Sequence, residues 1–163
     1  MNSTDWPTVL VDLLNTTPVV DGVATDVLAD GAAARSWLRA HGGGRAEDLA
    51  VLRRVRDDLQ RVVWGQCAPD VLDRYLSDVR QVPHVSADGL TWSSHGVDWP
   101  AHVVLAWGAT ESDAPGRLRP CANDECRLFL LDRSRGGTGR WCSMSGCGNR
   151  MKARRHYRRT AGK

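Results

Sequence analysis

Four cysteines near the C-terminus form two pairs, each with four intervening residues. Cys121 and Cys126 make the first pair, and Cys142 and Cys147 make the second, after a further fifteen residues. Two such pairs, joined by a segment long enough for a hairpin, are typical of one tetrahedral zinc ion held by four thiolates. Because four thiolates leave no coordination position open, the pattern predicts a closed, structural zinc site.

Disulfides and unligated thiols are the alternatives for these cysteines. Disulfides belong to oxidising compartments, and the N-terminus lacks the pattern of a secretory signal, since Asp12 interrupts the short apolar run 9–11. No stretch approaches the apolar length of a membrane span. We therefore expect a cytoplasmic protein without a membrane segment, in which paired cysteines bind metal. Cys67 stands alone, and we expect it to be a small buried hydrophobic residue.

Charge is divided unevenly along the chain. Residues 117–163 carry 13 Lys and Arg against 3 Asp and Glu, whereas residues 1–116 carry 9 against 16. The net charge of +3 therefore hides an acidic N-terminal part and a basic C-terminal part. We predict two domains, 1–116 and 117–163, and we expect the basic one to bind a polyanion.

Apolar periodicity predicts that the acidic part is mainly helical. Asp5 can cap a first helix over 6–14, and a Thr-, Pro- and Gly-containing stretch over 15–22 then breaks the pattern. Asp30 can cap a second helix, which we expect to end at the glycines 42–44 because glycine adopts the left-handed region without steric cost.

The remaining helices of this part follow from the same spacing. A third helix is predicted over 46–64, with the charged residues of 53–58 mostly on its solvent side. A fourth helix is predicted after Pro69 and is expected to end at Pro83, and residues 99–111 return to a helical pattern. One face of each helix should therefore belong to a common core.

A small β-hairpin is predicted between the last two helices. Residues 84–86 and 90–92 flank Asp88 and Gly89, a pair that favours a tight turn with positive φ. Six tryptophans in this part allow either core packing or a ligand pocket, and we favour core packing. They are Trp6, Trp37, Trp64, Trp92, Trp99 and Trp107.

The sequence pattern of the basic C-terminal part predicts a small zinc finger. An apolar run at 128–131 follows the first cysteine pair, residues 132–139 form a basic tip that we expect to be flexible, and Ser143 can cap a helix that reaches Tyr157. This order of metal turn, hairpin, metal turn and helix is close to a treble-clef finger. So few apolar residues cannot form a large core, and zinc binding would supply the missing stability. The predicted fold class is therefore mainly α, with a treble-clef-like finger at its end.

The predicted final helix is densely cationic. Its Lys and Arg residues follow i, i+3 and i+4 spacing, so that a bound polyanion would relieve their mutual repulsion. Arginine predominates, which suits bidentate contacts to phosphate or guanine. With three arginines of the preceding segment, the predicted nucleic-acid contacts are Arg133, Arg135, Arg140, Arg150, Lys152, Arg154, Arg155, Arg158 and Arg159.

The cysteine region resembles the CGNR-type zinc finger of bacterial proteins. The resemblance rests on the tetrad Cys147, Gly148, Asn149 and Arg150, and on the segments 119–126, 129–135, 141–144 and 152–155. More loosely, the segment 10–16 (Leu-Val-Asp-Leu-Leu-Asn-Thr) resembles the opening of the helical ABATE domain, which precedes this finger in stress-induced transcription regulators. Together the two likenesses cover nearly the whole chain.

The resemblance implies a zinc-binding bacterial transcription regulator that binds DNA through its finger and associates with the nucleoid. A homodimer and a small-molecule effector on the N-terminal domain are further hypotheses. The main alternative is a finger that binds an acidic protein partner, and RNA is a third option. We expect no enzymatic activity, because no catalytic constellation stands out. For Asn149 we favour a structural role, since asparagine readily bonds nearby backbone.

Overall fold

The computed structural model describes residues 4–20, 22–43 and 49–161. The first two helices begin where their capping residues predict. Helix α1 spans Trp6–Leu14, and the Asp5 carboxylate accepts the Thr8 backbone N–H at 3.4 Å. Helix α2 spans Gly31–Ala40 after Asp30, whose carboxylate accepts two backbone N–H groups of the first turn at 3.0 and 2.8 Å. These caps satisfy donors that the helix itself leaves unpaired.

Two longer helices complete the N-terminal part. Helix α3 spans Leu49–Val63, while the predicted start of this helix at residue 46, like Gly44 before it, lies outside the described residues. Gly42 follows α2 with φ +79°, as the predicted helix end requires. Helix α4 spans Trp99–Asp113, and the Asp98 carboxylate accepts the Ala101 N–H at 2.9 Å. Each predicted helix except the fourth is therefore present.

The predicted fourth helix is wrong in type and length. Residues Pro69–Tyr75 form a 3₁₀ helix, and Pro83, the expected helix end, lies inside a strand. That strand, β3 (Arg80–Ser86), pairs antiparallel with β4 (Gly89–His95), so the predicted hairpin is longer than the sequence pattern indicated. Pro83 is tolerated because a two-stranded hairpin consists only of edge strands.

A second small hairpin was not predicted. Strands β1 (Val19–Val20) and β2 (Val23–Ala24) pair antiparallel within the segment between α1 and α2, where the sequence pattern predicted only a break. The third pair joins the two ends of the first cysteine turn, with β5 (Leu118–Pro120) antiparallel to β6 (Phe129–Leu131). The chain is thus mainly α with small β-hairpins, which confirms the predicted fold class.

One hydrophobic core joins the helices and the finger. Leu118 and Phe129 of the β5–β6 hairpin are 4% and 1% exposed and belong to the same cluster as the helix residues. The predicted division at residue 116 stays a prediction, although the core contains residues from both sides of it. The helix and loop residues of the core are Val9, Leu10, Leu13, Leu14, Leu28, Ala34, Leu38, Leu52, Val55, Leu59, Leu72, Trp99, Val103 and Val104.

The tryptophans mostly follow the packing interpretation. Trp99 is 4% exposed and meets Trp6 and Trp37 edge to face, with ring centroids 6.0 and 5.8 Å away. For Trp92 the core-packing prediction is wrong, because Trp92 lies on the β3–β4 hairpin and remains 60% exposed.

No helix in the described part of the chain is long and apolar enough to cross a membrane.

The expected solvent face of α3 is also partly wrong. Arg56 and Asp58 are 4% and 6% exposed, because each finds a partner inside the fold. The Arg56 guanidinium donates to both carboxylate oxygens of Asp26 at 2.6 and 3.0 Å, and the Tyr75 hydroxyl donates to Asp58 at 2.8 Å. Burial, followed by the bond to Asp58, raises the pKa of Tyr75. A buried charge persists only when it is paired in this way.

Removing the Asp26 charge should destabilise the fold. The Asp26→Asn variant leaves the buried Arg56 without its bidentate partner, and we expect the free energy of unfolding to fall by about 2 kcal/mol. Urea unfolding of the zinc-loaded protein at neutral pH measures this change. Asp57→Asn is the matched control, because Asp57 is 57% exposed and also contacts Arg56, and it should cost less than about 1 kcal/mol. Equal decreases would contradict the assigned role of Asp26.

Candidate metal centre and basic surface

The first cysteine pair lies in the turn of the β5–β6 hairpin. The Cys121 N–H donates to the Leu128 carbonyl at 2.8 Å, which continues the pairing past the strands, and the Cys126 N–H donates to the Asn123 carbonyl at 2.7 Å, which tightens the turn. The hairpin therefore closes around the first pair, whereas the sequence pattern placed it between the two pairs.

The second pair is held at the start of the last helix. One π-helical turn, Met144–Gly148, contains Cys147 and runs directly into α5 (Asn149–Ala161). The Ser143 hydroxyl accepts the Gly146 N–H at 3.0 Å, so Ser143 caps this turn as predicted. A Cβ at position 148 would lie 2.9 Å from the Met144 sulfur, so this close approach favours glycine. The position of α5 thus depends directly on the second pair.

The four sulfurs have the spacing of a zinc site. All four lie within 4.8 Å of one another, and the Cys126 and Cys142 sulfurs are 3.8 Å apart. A tetrahedron with zinc–sulfur bonds of about 2.3 Å has edges of about 3.8 Å. Cys121 and Cys147 are buried, and the other two are half-buried. The donor set and its spacing therefore fit one structural zinc ion, and the predicted cofactor is confirmed.

Three N–H groups point at the cysteine sulfurs. The backbone N–H groups of Leu128 and Cys142 lie 3.5 and 3.4 Å from the sulfurs of Cys126 and Cys121. The Asn123 side-chain amide lies 3.3 Å from the Cys147 sulfur, and Asn123 is only 1% exposed. Such donors stabilise thiolate charge and orient the ligands. Sequence analysis missed Asn123, whose only signal was an amide residue inside the first cysteine turn.

Ionisation of the four thiols requires a compensating cation. Burial, the largest effect, raises the pKa of Cys126 to about 11 and also raises the pKa of Cys142, and neighbouring cysteine charges add to both shifts. Burial opposes ionisation of Cys147 too, but hydrogen bonds led by that from Asn123 outweigh it and lower the Cys147 pKa. Zinc supplies the positive charge that four thiolates need, and its binding releases their protons.

The loop before the second pair is hydrogen-bonded to one carboxylate and one arginine. The Asp132 carboxylate accepts the N–H groups of Ser134 and Gly139 at 2.9 and 2.8 Å and pairs with Arg119. Bonds from Ser134, then from Gly139, and the charge of Arg119 lower the pKa of Asp132 to about 2. The predicted flexibility of this tip stays a prediction, although a buried carboxylate and an arginine of β5 hydrogen-bond to its backbone.

Five of the predicted nucleic-acid contacts line one groove. The groove lies between α5 and the first cysteine turn and has a volume of about 500 Å³. Its lining also includes Trp141, whose ring lies 5.2 Å from the guanidinium carbon of Arg140. We call it the arginine groove, and its arginines are Arg140, Arg154, Arg155, Arg158 and Arg159.

Arg154 is fixed at one side of the arginine groove. It donates to both carboxylate oxygens of Glu125 at 2.6 Å, and this hydrogen bond lowers the pKa of Glu125. Glu125 comes from the first cysteine turn, so the pair also ties α5 to that turn. The other arginines of the groove are exposed and have no carboxylate within ion-pair distance among the described residues.

The remaining predicted contacts lie elsewhere. Arg150 and Lys152 are exposed on α5, outside the lining of the arginine groove. Arg133 and Arg135 line a different groove, where Arg133 donates to the Thr8 hydroxyl at 3.3 Å. Their part in binding stays a prediction. Asn149 donates to the Ser145 carbonyl at 3.5 Å, a long bond at the metal turn.

A hairpin with one cysteine pair, a loop and a helix with the second pair define a treble-clef-like zinc finger attached to a helical domain. Residues 117–160 match the family described as CGNR zinc finger. Residues 8–128 match the ABATE family, described as "Putative stress-induced transcription regulator". The chain belongs to this family, as the sequence resemblance predicted. No curated protein matches it.

Removing the buried amide at the metal centre should weaken zinc binding. We expect Asn123→Ala to lower zinc affinity about 10–100-fold, because the Cys147 thiolate loses its oriented donor. Competition with a chromogenic zinc chelator measures the affinity. Asn149→Ala serves as the matched control, since Asn149 is exposed and its amide contacts backbone rather than sulfur, and it should lower zinc affinity much less than Asn123→Ala does. Equal affinities in all three proteins would refute the role of Asn123.

Proposed function

We propose that this protein is a nucleoid-associated transcription regulator that binds DNA through the arginine groove and α5. In this proposal the zinc ion has no catalytic part, because four thiolates leave no position for a reacting water. The family assignment supports a regulator, and the surface of the finger supports a nucleic-acid ligand. The helical domain would carry the regulatory input, including any small-molecule effector.

The observation that carries the proposal is the composition of α5. The helix has six Lys and Arg residues and no Asp or Glu, so its own sequence does nothing to neutralise its charge. Such repulsion is relieved when phosphates replace counterions around the helix. Because Cys147 lies in the turn that starts α5, zinc fixes the direction in which this charge is presented.

The side chains that line the arginine groove suit a ligand that offers both phosphates and base edges. Glu125 holds Arg154 in one orientation, and Trp141 lies beside the Arg140 guanidinium. A guanidinium that is already oriented loses less freedom when it binds a phosphate or a guanine edge. The exposed Arg155 and Arg158 lie with these two fixed groups on the groove lining, and we expect them to contact the ligand directly.

The test is selection of random duplex DNA by the zinc-loaded full-length protein. We expect an enriched sequence motif that disappears when Cys142→Ser removes a zinc ligand. The double variant Arg155→Ala/Arg158→Ala should weaken binding about tenfold or more. It should also reduce the slope of log affinity against log salt by about 0.9 for each phosphate that the variant no longer neutralises.

A matched double variant controls for charge. Arg35→Ala/Arg39→Ala removes two exposed arginines from α2 and changes the net charge of the protein by the same amount. Because these arginines lie outside the finger, this variant should leave DNA affinity nearly unchanged. If both double variants weaken binding equally, only non-specific attraction is at work. If no duplex is enriched and retention is independent of sequence, an acidic protein partner becomes the better hypothesis for the finger.

A further inference from the structure

The four cysteines of the metal centre differ in exposure. Cys121 and Cys147 are 7% and 8% exposed, whereas Cys126 and Cys142 are half-buried. Zinc keeps all four sulfurs as thiolates, and a thiolate is the nucleophilic form that peroxides oxidise. An oxidant from solvent therefore reaches Cys126 and Cys142 more readily than the other two.

The hydrogen bonds to sulfur single out one of these two cysteines. N–H groups lie against the sulfurs of Cys121, Cys126 and Cys147 at 3.4, 3.5 and 3.3 Å. Within the described residues, no N–H group donates to the Cys142 sulfur. A hydrogen bond that stabilises thiolate charge lowers the basicity of the sulfur and, with it, the nucleophilicity. Cys142 is therefore accessible and also the most nucleophilic of the four.

Cys126 is the partner that suits a disulfide with Cys142. All four sulfurs lie within 4.8 Å of one another, so distance alone does not select a pair. The sulfurs of Cys126 and Cys142 are 3.8 Å apart, and a shift of about 2 Å brings them to bonding distance. Cys147 is held in the π-helical turn and Cys121 continues the β5–β6 pairing, whereas Cys126 and Cys142 lie outside helices and strands. Their backbone can therefore make this shift with less disruption.

We propose that hydrogen peroxide oxidises Cys142 and that Cys126 then converts the oxidised residue into a disulfide. The first product is a sulfenic acid, which is the reversible stage of cysteine oxidation. Redox-sensing cysteines are typically accessible thiolates with a second cysteine beside them, and Cys142 and Cys126 meet both conditions. This inference concerns the metal centre and does not depend on DNA binding.

The reaction has two steps. In the first, the Cys142 sulfur attacks one peroxide oxygen, so that an S–O bond forms, the O–O bond breaks, and hydroxide leaves and takes up a proton. In the second, the Cys126 sulfur attacks the Cys142 sulfur, so that the S–S bond forms, the S–O bond breaks, and a second hydroxide leaves and takes up a proton. The two thiolates lose two electrons, and one peroxide with two protons becomes two waters.

The disulfide removes two of the four zinc ligands. Cys121 and Cys147 alone cannot hold a structural ion, which takes four ligands, so oxidation releases the zinc. The Glu125–Arg154 pair still joins α5 to the first cysteine turn, but its side chains are 58% and 41% exposed, and such a pair contributes little stability. Oxidation therefore loosens the attachment of α5 to the rest of the finger. Only a resulting change in DNA affinity would rest on the proposed function.

Treatment of the zinc-loaded full-length protein with hydrogen peroxide tests the inference without DNA. A chromogenic chelator follows the released zinc, and peptide mass spectrometry maps the disulfides after the remaining thiols are alkylated. We expect Cys126–Cys142 to be the first disulfide, with one zinc ion released for each. Dimedone added with the peroxide should trap the sulfenic acid on Cys142. A dithiol reductant and zinc should restore the bound metal, because a disulfide is reversible.

Histidine variants separate the reactive site from a general loss of metal. Cys142→His keeps four zinc ligands but removes the reactive sulfur, so peroxide should release its zinc at least about tenfold more slowly. Cys121→His is the matched control, because it replaces one thiolate in the same way but retains the reactive pair, and its release rate should stay within about threefold of the unaltered rate. Cys67→Ser should leave the rate unchanged, since Cys67 lies outside the metal centre. If a histidine variant does not bind zinc, the mapping on the unaltered protein decides the assignment.

Four results would overturn the proposal. Zinc that stays bound at peroxide concentrations that oxidise a free thiol would exclude a reactive ligand. A first disulfide between any other two cysteines would assign the reaction elsewhere. A dimedone adduct mainly on Cys126 would reverse the two roles. Zinc release with sulfinic acid instead of a disulfide would show irreversible damage, which no reductant repairs.

Discussion

The cluster of four cysteine thiolates is the constraint on which the C-terminal part depends. It closes the β5–β6 hairpin on one side and starts α5 on the other, so the position of every arginine in the arginine groove follows from it. The hairpin then connects the metal to the core, because Phe129 is buried there and packs beside Trp64 with ring centroids 4.9 Å apart. The metal thus holds the cysteine turn and the start of α5, while hydrophobic packing holds the strands of the hairpin.

Helix α1 has a direct polar connection to the finger as well. The Asn15 side chain accepts the Phe129 N–H at 2.7 Å and donates to the Phe129 carbonyl at 3.2 Å, as an adjoining strand would. A rearrangement of α1 would therefore act on β6 and, through the first cysteine turn, on the arginine groove. The Asn15 hydrogen bonds therefore couple the position of α1 to that of the first cysteine turn.

Sequence alone predicts the metal centre and most helices because those features are local. Cysteine spacing, the Asp5 and Asp30 caps and the helical apolar pattern each depend on residues a few positions apart. The features that the sequence did not predict depend on partners that are far away in the sequence. Arg56 was expected on the solvent side of α3, because its partner Asp26 lies thirty positions away in the sequence. The hydrogen bonds that Arg119 donates to the backbone of the loop over 132–139 were missed for the same reason. Asn123 was missed because its amide meets Cys147 only after the finger folds.

The change of charge near residue 116 and the boundary of the core do not coincide. Charge favours a separate finger, since the residues before and after this point have opposite net charge. Packing favours a joined finger, since Leu118 and Phe129 belong to the same buried cluster as the helix residues. A small finger gains much of its stability from zinc, but exposing both apolar side chains would still weaken it. The helical part is therefore also a structural support for the β5–β6 hairpin.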